Sequence, residues 1–117
     1  MDEHVFKQRT KKLALSVIEL VEALPKSRTA DVIGRQLLRS ATSVGANYRA
    51  ACRGKSTADV LAKPAIVEEE GDESAYWLEL LIEANIVAEG EVVELLRETN
   101  EIVAMTVASI KTLRGRL

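Results

Sequence analysis

Cysteine occurs once in these 117 residues, at Cys52, so no disulfide can close within the chain and no cysteine-rich zinc site can be built. That points to a reducing, intracellular setting. Histidine also occurs once, at His4, which removes the paired Glu-x-x-His ligands that a di-iron helical bundle requires. It also leaves no base that local spacing could place beside Ser40, Ser43 or Cys52, so no nucleophile is activated and no reaction is expected. The glycines form no phosphate-cradling loop after a strand, and no cofactor or metal is expected. There is no uncharged run of ~18 residues to cross a bilayer, and the N-terminus lacks the basic-apolar-small order of a signal peptide. The expectation is a cytoplasmic protein without a membrane partner. Aromatic residues make up only 3%, and two prolines and six glycines give sparse punctuation, which suits helices better than short strands with turns.

What is present is an ordinary globular balance, 47% apolar and 29% charged, enough for a single domain over residues 1–117 that folds without staples. Four helices can be read. The first spans about Glu3 to Leu24, with Phe6, Thr10, Leu13, Val17, Leu20 and Leu24 spaced 4-3-4-3-4 before Pro25 ends it. The second spans about Arg28 to Arg53, with Ile33, Leu37, Val44 and Ala51 on one side and Gly54 just beyond. Ser56 and Asp59 open the third, which reaches about Ala88 through Val60, Val67, Leu78 and Leu81. Pro64 and Gly71 lie inside it and are costly there, predicting a kink near Val60 to Pro64 or a helix beginning at Pro64. After Gly90 the fourth spans about Glu91 to Leu113 through Leu96, Val103, Ile110 and Leu113. Short connections make successive helices antiparallel, so the fold read is an all-α, up-down-up-down four-helix bundle. Leu13, Val17, Leu37, Val44, Leu78 and Val103 are its expected core.

The charge is unevenly distributed along the chain. Residues 32–58 carry +5 and no acid, whereas residues 59–101 carry thirteen acids against Lys63 and Arg97, for −11. On a helical projection Arg28, Arg35, Arg39, Arg49 and Arg53 fall within ~80° of arc, a stripe ~38 Å long. Such a stripe can track nucleic-acid phosphates, pair with the acidic third helix, or be solvated. Only Tyr48 lies within its segment to stack on bases. Ser43 and Asn47, an i, i+4 pair, are placed to tie helices together, with a ligand contact as the alternative. The run Glu68 to Glu73 spreads around the helix and is mostly solvated, apart from Glu69 and Glu73, which align with Tyr76 and Leu80. Tyr76, Trp77 and Leu80 form a second apolar patch, away from Val60, Val67 and Leu78. Either another helix or another subunit covers it, and with Glu69 and Glu73 these residues are the candidate oligomer interface.

The strings RSATSVGANYRAACRGKS (Arg39 to Ser56) and DESAYWLELL (Asp72 to Leu81) resemble signature segments of the four-helix-bundle proteins named after 23S ribosomal RNA intervening sequences. The likeness extends to F-x-x-R-T at Phe6 to Thr10 and S-x-K-T at Ser109 to Thr112. It implies a homopentameric ring of helical bundles, with no reaction or cofactor. Some relatives are encoded inside 23S rRNA genes, and others serve diversity-generating retroelements as basic accessory proteins that bind RNA and reverse transcriptase. Two departures stand out: Pro64 replaces a hydrophobic helix former and Gly71 replaces an alanine, and the overall charge is acidic. The resulting expectation is a homo-oligomeric interaction protein whose partner is RNA or a nucleic-acid-associated protein. The alternative is a protein-binding homopentameric scaffold whose arginines are consumed by intersubunit pairs with Glu69, Glu73 and their neighbours. A third reading is a small-ligand enzyme with the SATSVGAN segment as a pocket wall, lined by Ser43, Asn47 and Tyr48.

Overall fold

In the computed structural model, which describes residues 2–54 and 56–115, four helices form one compact body of 47 × 20 × 20 Å. The side chains of residues 57, 59, 113 and 114 are not among those described, so the expected roles of Asp59 in capping and Leu113 in the core lie outside the described residues.

Each helix begins and ends for a local reason. Helix α1 is Glu3–Glu22, capped by the Asp2 carboxylate, which accepts from the Val5 N–H at 3.0 Å. It stops short of Leu24 because the residue before Pro25 is pushed out of the helical region. Helix α2, Arg28–Cys52, starts at Ser27, whose hydroxyl accepts from the Ala30 N–H at 3.1 Å. Helix α3 is Thr57–Glu83 and continues through Pro64, so it does not begin there as one reading had it. Its end is earlier than Ala88. Asn85 takes a left-handed φ of 59°, its N–H reaches the Ile82 carbonyl at 3.0 Å and the Ile86 N–H reaches Leu81 at 3.0 Å, which is a Schellman closure. Asparagine tolerates that conformation better than most side chains, and the stop needs no glycine. Helix α4 is Glu89–Gly115, so Gly90 lies in its first turn and does not separate the helices.

The core is formed by Phe6, Leu13 and Val17 of α1, Ile33, Leu37, Ala41 and Val44 of α2, Val67, Leu78 and Leu81 of α3, and Ile102 of α4. Five of the six expected core residues, Leu13, Val17, Leu37, Val44 and Leu78, are at most 1% exposed. Val103 is only half-buried, because the inward face of α4 is Val92, Thr99, Ile102, Thr106 and Ile110. The threonines bury their methyls there, while their hydroxyls donate to the carbonyls of Leu95 and Ile102 at 2.7 and 2.8 Å. Such a face reads as polar in sequence and is apolar in packing.

Helix α2 packs on α1 and α3, and α3 packs on α4, whereas α1 and α4 touch only sparsely. Gly45 lies where α1 comes closest: a Cβ there would stand 3.2 Å from Thr10 Oγ1. At Gly71 a Cβ would stand 2.8 Å from Val103 Cγ2, so the bare backbone at 71 and the branched side chain at 103 fit as a pair.

Two stability outcomes follow. Leu37→Ala should cost ~2–5 kcal/mol in reversible denaturation, and a change below ~0.5 kcal/mol would remove Leu37 from the core. Gly71→Ala should lose the ~1 kcal/mol helix-propensity gain to overpacking of ~1–3 kcal/mol, and adding Val103→Ala should restore part of it. Strict additivity of the two substitutions would argue against the close contact.

Candidate nucleic-acid interface

All five stripe arginines, Arg28, Arg35, Arg39, Arg49 and Arg53, are exposed on α2, because its inner arc is occupied by Ala30, Ile33, Gly34, Leu37, Ser40, Ala41 and Val44. They do not share one electrostatic state. Arg39 bridges to α3, with Nη1 at 3.1 Å from Glu70 and Nη2 in contact with Glu73. Arg35 pairs with Asp31 of its own helix at 3.0 Å, with 78% of its side chain exposed, so screening keeps that pair weak. Among the described residues, Arg28, Arg49 and Arg53 have no carboxylate within 4.0 Å. Among the described residues, the acids of the third helix therefore take up one arginine of the five, within the chain and through Glu70 and Glu73, while Glu69 is exposed without a salt bridge.

Ser43 and Asn47 bond their own helix: the Ser43 hydroxyl donates to the Ser40 carbonyl at 2.8 Å and the Asn47 amide to the Ser43 carbonyl at 2.9 Å. The hydroxyl that crosses from α2 to α3 is that of Ser40, 2.8 Å from Ser74 Oγ, with both residues fully buried. Choosing between serines three residues apart needs the helix's rotation, which the sequence pattern left open by one position.

Glu73 and Ser74 both reach α2, and Trp77 follows them at i+4 and i+3 on the same side of α3. The apolar patch of Trp77 and Leu80 is thus half-buried against the core within the protomer. The Trp77 indole nitrogen is buried and has no acceptor among the described residues. Tyr76, 53% exposed, stands edge-on to Trp77 at 5.2 Å, so Tyr76 and Glu69 are the members of the interface set that face outward. Tyr48 is half-buried: its ring meets Phe6 at 4.6 Å, and desolvation raises its phenol pKa above the ordinary value.

Two features went unread in the sequence. Arg9, in the Phe6 to Thr10 motif, spans from α1 to α4 with a forked pair to Glu98 at 3.0 and 2.6 Å, a contact to Glu101 at 2.9 Å, and a bond to Met105 Sδ at 3.1 Å. The second is a groove of about 350 Å³ between α1 and α2, where Lys7, Lys11 and Arg49 converge. The i, i+4 spacing of Lys7 and Lys11 was the available signal, but a stripe sought on one helix does not reveal a groove shared by two. Among the described residues no group of three or more His, Cys, Asp or Glu side chains is arranged to hold a metal, and no helix is long and apolar enough to cross a membrane.

Residues 2–108 match the family model described as 23S rRNA-intervening sequence protein. A crystal structure described as a protein of unknown function from the S23 ribosomal protein family of Bacteroides thetaiotaomicron VPI-5482 is 32% identical. It superposes with a TM-score of 0.87 over 95% of this chain and 99% of that one. No curated protein matches the chain.

Hydrogen bonding to Arg9 holds the Glu98 carboxyl below its usual 4.5, outweighing the opposing effect of burial. A carboxylate with a depressed folded pKa contributes stability above its unfolded pKa, and that contribution is lost as pH falls through the folded value. Glu98→Gln should therefore cost ~0.5–1 kcal/mol near neutrality, discounted because both partners are partly exposed. The gap from wild type should close at pH ~3. Urea denaturation at the two pH values measures it, and an unchanged gap would argue against Glu98 as the titrating group.

Proposed function

The chain belongs to the 23S rRNA-intervening sequence protein family, and from that premise we propose that it is a non-enzymatic, oligomeric interaction protein that binds RNA or a ribonucleoprotein. Backbone phosphates are neutralised by the outer arc of α2. The observation that carries this reading is the state of Arg28, Arg49 and Arg53: three exposed guanidinium groups with no acid within 4.0 Å among the described residues, in a chain whose net charge is −2. An acidic protein that keeps one helix face cationic has a surface suited to a polyanion. Tyr48, half-buried with its ring edge-on to Phe6, is the one aromatic side chain of the α2 segment, so the contact is made chiefly to the backbone.

The protomer in this reading is an antiparallel up-down-up-down bundle. In support, Thr10 of α1 meets Gly45 of α2, whereas Leu24, just past α1, meets Gly34, so position rises along one helix as it falls along the other. The proposed assembly is a cytoplasmic homopentamer, in keeping with the family resemblance. Tyr76 and Glu69 lie near the subunit contact, because they are the outward members of the α3 set. Closed cyclic symmetry covers exposed apolar residues such as Tyr76 without open-ended growth.

A scaffold without a nucleic-acid role is the second reading, favoured by Arg39, which is already engaged by Glu70 and Glu73. The two separate on titration with duplex RNA at ~50 mM salt, where the first expects binding that weakens steeply as salt rises. Arg28→Glu with Arg53→Glu should abolish it while helicity is kept, and undetectable binding by the wild type would leave the scaffold. Sedimentation equilibrium should give a pentamer, and Tyr76→Glu should weaken it. A persistent monomer of 12.8 kDa at high concentration would exclude the ring.

A further inference from the structure

We infer that the groove between α1 and α2 is a phosphate seat, in which Lys7 and Lys11 of one helix and Arg49 of the other hold a backbone phosphate of bound RNA. This inference rests on the RNA-binding reading and adds a location to it. The groove, about 350 Å³, lies where Gly45 lets α1 approach α2 closely, and the short side chains of Ala14 and Ala46 are among its lining. Short lining residues allow an anion to come near both helices, with Lys7 and Lys11 contributed by α1 and Arg49 by α2. No carboxylate lines the groove. The nearest engaged acid is Glu3, which pairs with Lys7 at 3.0 Å at one end and leaves Lys11 and Arg49 without a salt bridge among the described residues. The exposed Gln8 amide adds a neutral donor at the rim.

Arg49 belongs to both the groove and the outer arc of α2, so the seat is continuous with the arginine stripe. A nucleic-acid backbone lying along α2 therefore passes over the groove, and one of its phosphates can enter between the helices. Cations on two facing helices fix an anion in position more tightly than a row on one helix, where each long side chain swings separately. This arrangement also explains why α1, which contributes nothing to the stripe, carries lysines four residues apart on its α2 side.

The test is a salt titration of duplex RNA binding to the full chain with Lys11→Gln and Arg49→Gln, both at exposed positions. Removing two phosphate contacts should weaken binding ~10-fold or more at ~50 mM salt and flatten the slope of log K against log salt by roughly 1.4–1.8. Lys11→Gln alone should lower the slope by about half of that, which keeps the inference testable if the double variant fails to fold. Wild-type RNA binding with an unchanged slope in both variants overturns the seat and leaves the RNA-binding reading standing. Equal binding of poly-glutamate at matched charge, lost in the same variants, also overturns it, since the groove would then be a general anion patch. Absence of RNA binding by the wild type removes both readings together.

Discussion

The architecture depends on how closely α1 and α3 can approach α2. Along the inner arc of α2, the large residues Ile33, Leu37 and Val44 alternate with Ala30, Gly34, Ser40 and Ala41, and the small positions are where neighbouring helices come nearest. Close contact maximises dispersion and leaves little void. It also leaves the inner arc no room for long or charged side chains. The arginines of this segment are therefore confined to the outer arc, and the cationic surface is a by-product of the packing requirement. The same approach that tightens the α1–α2 seam at Gly45 shapes the groove where Lys7, Lys11 and Arg49 converge.

Several contacts that cross between helices involve residues of the segments that carry the family resemblance. Phe6, Arg9 and Thr10 of the opening motif meet Tyr48, Glu98 and Gly45. Arg39 and Ser40 of the long α2 segment meet Glu73 and Ser74 of the α3 segment. Their first role is to set register. A buried hydroxyl pair such as Ser40 with Ser74 contributes little net energy, since each hydroxyl also reaches a carbonyl of its own helix, Leu37 and Glu70, but the two meet at 2.8 Å only in this register. Arg9 serves the α1–α4 seam in the same way, where apolar contact is thinnest.

Helix number, approximate bounds and most of the named core were legible in the sequence, because Leu13, Val17, Leu37 and Val44 recur at helical spacing and Pro25 marks the end of α1. The departures have physical reasons. Thr99 and Thr106 hide their hydroxyls in their own helix, so α4 turns a different face inward than a search for Val and Leu suggests. Asn85 replaces the glycine expected at a Schellman stop. Of the candidate site, the exposed arginines could be read from spacing alone. The pairing of Arg39 and the two-helix groove could not, because both require the rotation of one helix relative to another.

Trp77 is the only tryptophan, half-buried, and its indole N–H is covered with no acceptor among the described residues. Satisfying that donor was evidently less important than filling the volume, since a buried donor without a partner costs ~1–3 kcal/mol and a large aromatic ring returns a comparable amount through burial. The arrangement gives the molecule an internal optical probe. Its ultraviolet emission originates from one indole at the α2–α3 side of the core, in surroundings poor in water, so colour and intensity report the integrity of that seam. Binding events on the outer arc of α2, on the opposite side of the same helix, will alter that emission only insofar as they move the helix itself.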